Sequence, residues 1–185
     1  MRFFFRASLT FGFLLLLFSL NSISAQELKV SEKIITFVVD HPFETVNAEC
    51  GKVVLEPSSF PSKDSYPKVS SIKIEIPFKY ISSGDQNRDS TIIESLGYPT
   101  YKSVSFQSSK IVEAEGGWDV TGNLTINGVT KQIQVFASGT KDAGKVVVKG
   151  TFNVMMSDYN VVPPSLLFVK TREKVVINFQ FTLQP

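Results

Sequence analysis

Apolar and polar residues alternate along most of this chain with the period of two that gives a β-strand one dry face and one wet face. The clearest run sets Trp118, Val120, Gly122, Leu124 and Ile126 against Asp119, Thr121, Asn123 and Thr125. Asn127-Gly128 follows at once. Both residues tolerate the positive φ of a type I′ turn, whose twist matches its flanking strands, so Val129 to Ala137 is predicted to return as the partner strand of a tight hairpin. The same alternation marks Ile35 to Val39, Val46 through Val53 to Leu55, and Ile72 to Tyr80. It recurs from Val104 through Phe106, from Val146 to Val154 and from Val175 to Leu183. With the hairpin, these segments predict eight amphipathic strands.

One stretch, Arg88 to Leu96, reads as a short helix, with Asp89 placed to favour its N-terminus and Arg88 to pair with a neighbouring carboxylate or carbonyl. An all-β antiparallel domain follows, either a sandwich or a barrel that closes to remove its edges; alternation alone does not separate the two. Glu56 to Ser70, with three prolines, and Ser157 to Lys170 are long irregular connections, a kind that is often functional in a compact domain.

The first 25 residues do not share this pattern. Arg2 and Arg6 precede the apolar run Leu9 to Leu20, and small polar residues end at Ala25, the layout of a secretory signal peptide. The apolar run is shorter than the roughly 20 residues a membrane span needs, and no cysteine follows it to take a lipid. The expected product is a free exported domain, residues 26–185, with no integral membrane span.

Charge then loses its apparent sign. The chain has 19 basic and 17 acidic residues, but Arg2 and Arg6 leave with the signal. A balanced mature domain lacks the cationic excess that drives binding to nucleic acid or anionic membranes, and neither is expected as a partner. Cys50 is the sole cysteine, so stability must come from the sheet without an internal disulfide; with no second cysteine or nearby base, it reads as a small apolar residue.

Catalytic and metal chemistry find little to work with. His41 is the one histidine, and no Gly-x-Ser-x-Gly elbow is present. Beside it stand only Asp40 and Glu44, too few ligands for a metal. No enzyme, metal or cofactor is expected. Ten of the 16 phenylalanines belong to the mature domain. Outward-facing Val38, Phe136, Val147 and Val176 leave room for a homodimer.

Several of these segments match a known signature. Gly122, Leu124, Thr125, Ile126, Gly128, Val129, Thr130 and Lys131 resemble the G-x-L-T-[IL]-x-G-V-T-[KR] motif of the YceI-like family of periplasmic lipid- and polyisoprenoid-binding proteins. Phe37-x-Val39-x-His41 resembles the family's first strand. Arg88-Asp89, Tyr98-Pro99, Phe106 and Ser108 resemble its middle signature, although the expected Gly-Asn has become Gly84-Asp85-Gln86-Asn87. The resemblance runs from about Ile34 to Leu183. It implies an eight-stranded antiparallel lipocalin-like β-barrel with one short helix, periplasmic or secreted, that encloses a long-chain lipid: a polyisoprenoid, an isoprenoid quinone, or a fatty acid or amide.

Alternation within that barrel nominates a lumen lining: Val39, Ile74, Ile76, Phe78, Phe106, Trp118, Leu124, Ile126, Phe152, Val154, Ile177 and Phe179. The family match adds His41 near the mouth, as a contact for the ligand or a structural hydrogen bond. An eight-stranded barrel can equally be filled by its own side chains, and then the protein would work through its surface loops. A lipid-modifying enzyme that uses His41 is a further alternative.

Overall fold

A computed structural model describes residues 26–63, 66–166 and 168–185; the proposed signal peptide lies outside them. The strands are β1 (Glu27–Asp40), β2 (Thr45–Cys50), β3 (Val54–Glu56), β4 (Ser59–Lys63), β5 (Tyr66–Pro67), β6 (Lys73–Pro77) and β7 (Ile81–Ser82). After helix α1 (Gln86–Ser95) come β8 (Ser103–Ala114), β9 (Gly117–Ile126), β10 (Val129–Asp142), β11 (Lys145–Met155), β12 (Ser165–Leu166), β13 (Val169–Lys170) and β14 (Lys174–Gln184). All eight predicted strands are present. The count is higher because the predicted strand from Val46 to Leu55 is split into β2 and β3 and because short strands form between the predicted ones.

The main sheet is antiparallel and runs β3-β6-β8-β9-β10-β11-β14-β1-β2-β7. Its ends are joined by the chain itself. β2 and β3 are two arms of one segment, interrupted at Gly51 to Val53: β2 pairs with β1 through Ile35↔Cys50, and β3 pairs with β6 through Leu55↔Ile74. The sheet therefore curls round into an eight-ribbon barrel, the arrangement that leaves few open edges.

The hairpin forms as predicted. Asn127 and Gly128 adopt φ of 49° and 74°, and β9 pairs with β10 from Ile126↔Val129 to Gly117↔Ser138. Two bulges re-aim the alternation, one between Val30 and Glu32 in β1 and one between Ser108 and Lys110 in β8. Each inserts one extra residue, so the inward face shifts by one position. Both extra residues are serines that reach across the sheet: Ser31 Oγ donates to the Thr182 carbonyl at 3.0 Å, and Ser109 Oγ to the Thr121 carbonyl at 3.3 Å.

One ladder is short. Among the described residues, β10 and β11 pair only from Asp142↔Lys145 to Ser138↔Lys149, although β11 continues along β14 as far as Met155↔Lys174. Beyond Ser138↔Lys149 no ladder joins the two strands among the described residues, and the segments flanking their far ends meet where Lys131 Nζ lies 2.6 Å from Asp158 Oδ1 and Asn127 Nδ2 donates to the Tyr159 and Asn160 carbonyls.

Helix α1 starts two residues earlier than predicted because Asp85, not Asp89, is its cap, accepting from the Arg88 backbone N–H at 2.9 Å. Asp89 instead accepts from Ser83 N and Ser83 Oγ, each at 2.6 Å, and binds the strand-to-helix turn to the helix. Arg88 Nη1 pairs with Glu44 Oε1 at 3.3 Å, as the sequence suggested. Cys50 is fully buried. Burial pushes its thiol pKa up and the charge of Glu49 adds to this, against a hydrogen bond with the Lys52 backbone, so it is a packed thiol and not a nucleophile.

Candidate functional site: an apolar cavity along the barrel

The inward face of the curled sheet does not close on itself. It leaves a cavity of about 290 Å³, roughly twice the ~150 Å³ engineered cavity that accommodates benzene. Eleven of the thirteen residues nominated from the sequence line it. β9 contributes Trp118, Leu124 and Ile126, all buried. β6 adds Ile74 and Ile76, β8 Phe106, β11 Phe152 and Val154, β14 Ile177 and Phe179, and β1 Val39.

Phe78 and His41 do not line it. At Pro77 the extended pattern stops and Phe78–Tyr80 turns into a 3-10 helix; the Phe78 ring is buried in the core but off the cavity wall. The alternation that pointed Phe78 inward had already ended one residue before it. His41 is also buried, and both ring nitrogens are occupied by backbone. Nδ1 accepts from Phe43 N at 3.2 Å, so Nε2 carries the proton and donates to the Val169 carbonyl at 2.9 Å. This fixes the end of β1 to β13. It is the structural hydrogen bond among the sequence readings of His41.

Sequence reasoning missed the parts of the lining that do not belong to long strands. Phe60 and Pro67 come from the β4–β5 hairpin, inside the connection read as irregular, and Ile92 and Leu96 come from the α1 region. The Ile92/Leu96 spacing of four, one helical turn, was the available signal. The segment after β11 adds Met156, Tyr159, Val161 and Pro164. Tyr159 is buried, and desolvation, helped by the Asp158 charge, raises its phenol pKa. Met155 also lines the cavity although it is exposed and has the outward parity of β11; it lies where the β10–β11 ladder is absent.

Polar groups are few, and almost all are already engaged. Thr91 Oγ1 donates to the Asn87 carbonyl, Ser95 Oγ to that of Thr91 and Thr171 Oγ1 to that of Pro164, while Arg88 holds Glu44. The wall therefore presents hydrocarbon, suited to an apolar body recognised by shape. Among the described residues no cluster of His, Cys, Asp or Glu could hold a metal ion, and no helix is long and apolar enough to cross a membrane.

The sequence profile of the YceI-like domain matches residues 26–183. This chain belongs to the YceI-like family. Solved structures share its fold at low identity. A crystal structure of BcnA from Burkholderia cenocepacia superposes with a TM-score of 0.68 at 18% identity, covering 81% of this chain and 95% of the other. A polyisoprenoid binding domain from Saccharophagus degradans, implicated in plant cell wall breakdown, gives 0.62 at 13% identity over 85% and 97%. The Campylobacter jejuni YceI protein gives 0.60 at 18% over 75% and 84%. No curated protein matches the sequence significantly.

Proposed function

We propose that this YceI-like protein is an exported carrier that encloses the long apolar tail of a lipid, a polyisoprenoid, isoprenoid quinone or fatty acid or amide, in the barrel interior. The observation that carries the reading is the continuous apolar cavity, lined from every main strand of the barrel and by α1. The polyisoprenoid-binding domain among its structural neighbours supports the ligand class. Burial of about 500 Å² of tail surface would supply on the order of 12 kcal/mol before ordering and association costs. That suffices for capture without any charged contact.

Residues 1–25 direct the chain to the periplasm or the outside, and the domain acts by holding its ligand rather than converting it. Engagement of both His41 nitrogens with backbone argues against the lipid-modifying alternative, and the open interior argues against a packed barrel that works through its loops. The test is mass spectrometry of an organic extract of the mature protein, expressed with export and purified without detergent, beside a mock purification. About one long-chain species per protein is expected. An empty extract, repeated after isoprenoid quinones and fatty amides have been offered, would overturn the carrier reading.

A further inference from the structure

The two ends of the cavity are not shielded alike. Of the residues that line it, only Thr91 and Met155 are exposed; the first is on α1 and the second is where β11 ends, beside the start of β14. Helix α1 stands over this end without fully burying any of its residues. Val161, Pro164 and Thr171 line the cavity from the segment after β11. At the far end the lining residues Phe60, Pro67 and Trp118 are all buried. The mouth is therefore framed by α1 and residues 161–171.

Apolar side chains crown this mouth. Among the described residues, Phe168 is fully exposed, Val162 73% and Phe43 60%, whereas no other large apolar side chain exceeds 45%. Val162 directly follows the cavity-lining Val161. Phe168 sits in the turn of the β12–β13 hairpin with a φ of 68°, a backbone conformation that asparagine or glycine adopts more readily. The turn that carries Phe43 is fixed to both sides of the rim. His41 Nε2 donates to the Val169 carbonyl at 2.9 Å, the Arg172 N–H donates to the Asp40 carbonyl at 2.9 Å, and Arg88 on α1 holds Glu44. The charges of these two segments, Asp40 and Glu44 against Lys170 and Arg172, cancel.

We propose that this rim docks on the surface of a lipid bilayer, with Phe43, Val162 and Phe168 entering its apolar layer and the cavity mouth facing the lipid. This role rests on the carrier reading: an apolar tail passes from bilayer to barrel without crossing water when the mouth is set against the membrane. Three side chains on separate tips around an opening suit a fluid surface that closes around each of them, whereas a protein partner is matched by one contiguous apolar face. The cancelling charges suit attachment by insertion of apolar side chains rather than by electrostatic attraction.

The test measures sedimentation of the mature protein with vesicles of phosphatidylcholine and phosphatidylethanolamine, which carry no net charge. Binding should be the same at low and high salt. Each of Phe43→Ser, Val162→Ser and Phe168→Ser should weaken it roughly tenfold or more, the loss of one inserted side chain. Each should leave the lipid in the organic extract unchanged, since none of the three lines the cavity. A second measurement keeps the other tips intact: a polarity-sensitive dye on Val162→Cys should brighten on vesicles, and the same dye on Val112→Cys, towards the far end of β8, should not. Cys50 is buried and stays unlabelled. Binding that falls with salt, that survives the three substitutions together, or that leaves the dye at Val162→Cys dark overturns the proposal. An absence of vesicle binding by a protein that yields its lipid also overturns it, leaves these tips to a protein partner and spares the carrier reading. An empty extract from a protein that docks removes the carrier reading and keeps the docking surface.

Discussion

Gly122 is buried on the inward face of β9, and replacing it with alanine tests the packing of the barrel wall. A Cβ there would lie 2.6 Å from the Gln107 carbonyl oxygen and 2.6 Å from Phe106 Cε2, with Phe106 Cζ in contact as well. The ring can rotate aside, but the carbonyl belongs to β8, which is paired with β9 at Gln107↔Asn123. The methyl group must therefore either strain the ladder or push Phe106 into the cavity. Overpacking of this kind costs about 1–3 kcal/mol, and the backbone contact places Gly122→Ala in the upper part of that range. For a domain of this size, each kcal/mol lowers Tm by roughly 2–4 °C, so a fall of about 4–12 °C is expected in thermal unfolding followed by circular dichroism. Phe106→Leu added to Gly122→Ala should recover part of the loss by removing the ring contact while leaving the carbonyl contact in place. An unchanged Tm in the single variant, or a double variant whose loss is the sum of the two single losses, would refute the steric reasoning.

Gly128→Val acts on the same hairpin through conformation rather than packing. A φ of 74°, with the Tyr101 hydroxyl against the added side chain, should cost about 1–3 kcal/mol, readable in urea unfolding. The pKa of Asp89 shows a balance: burial raises it, but hydrogen bonds from Ser83 and Ser82, with the Arg88 charge, bring it below the ordinary 3.8. A depressed folded pKa contributes stability that is present above the unfolded value and is lost as pH falls through the folded one. Asp89→Asn should therefore lower Tm at neutral pH and flatten its decline below about pH 4; parallel Tm–pH curves for the two proteins would contradict this. His41→Ala removes the bonds to Val169 and Phe43, so the β12–β13 hairpin should become sensitive to limited proteolysis, with about 1–3 kcal/mol of stability lost. An unaltered cleavage pattern would mean that His41 does not hold that segment.

Most of the wall was legible in the sequence because a strand repeats every two residues, and one dry face is enough to assign every side chain along it. Trp118, Leu124 and Ile126 are cases where sequence parity and position agree. Legibility failed where the repeat is interrupted. Pro77 ended a strand one residue before Phe78, and in the β4–β5 segment Phe60 and Pro67 reach the cavity from short strands that have no room for a period. The helix start was displaced because Asp85 and Asp89 both offer a carboxylate near it, and only the fold shows which of them meets the Arg88 N–H. The family match placed His41 near the barrel end but could not say that its nitrogens bind backbone. Phe43 and Phe168 lie far apart in the sequence, and only the fold sets them on one rim.

The short β10–β11 ladder has a mechanical consequence. In a fully laddered barrel the circumference is fixed by interstrand hydrogen bonds, and widening it anywhere means breaking some of them. Here the ring is split below Ser138↔Lys149, with Met155 and the interior at the slit and the Lys131–Asp158 ion pair as its clasp. Spreading the two lips breaks no ladder bond between them. The girth of this barrel along the slit is set by side-chain packing and the one ion pair, not by a continuous ladder of backbone hydrogen bonds.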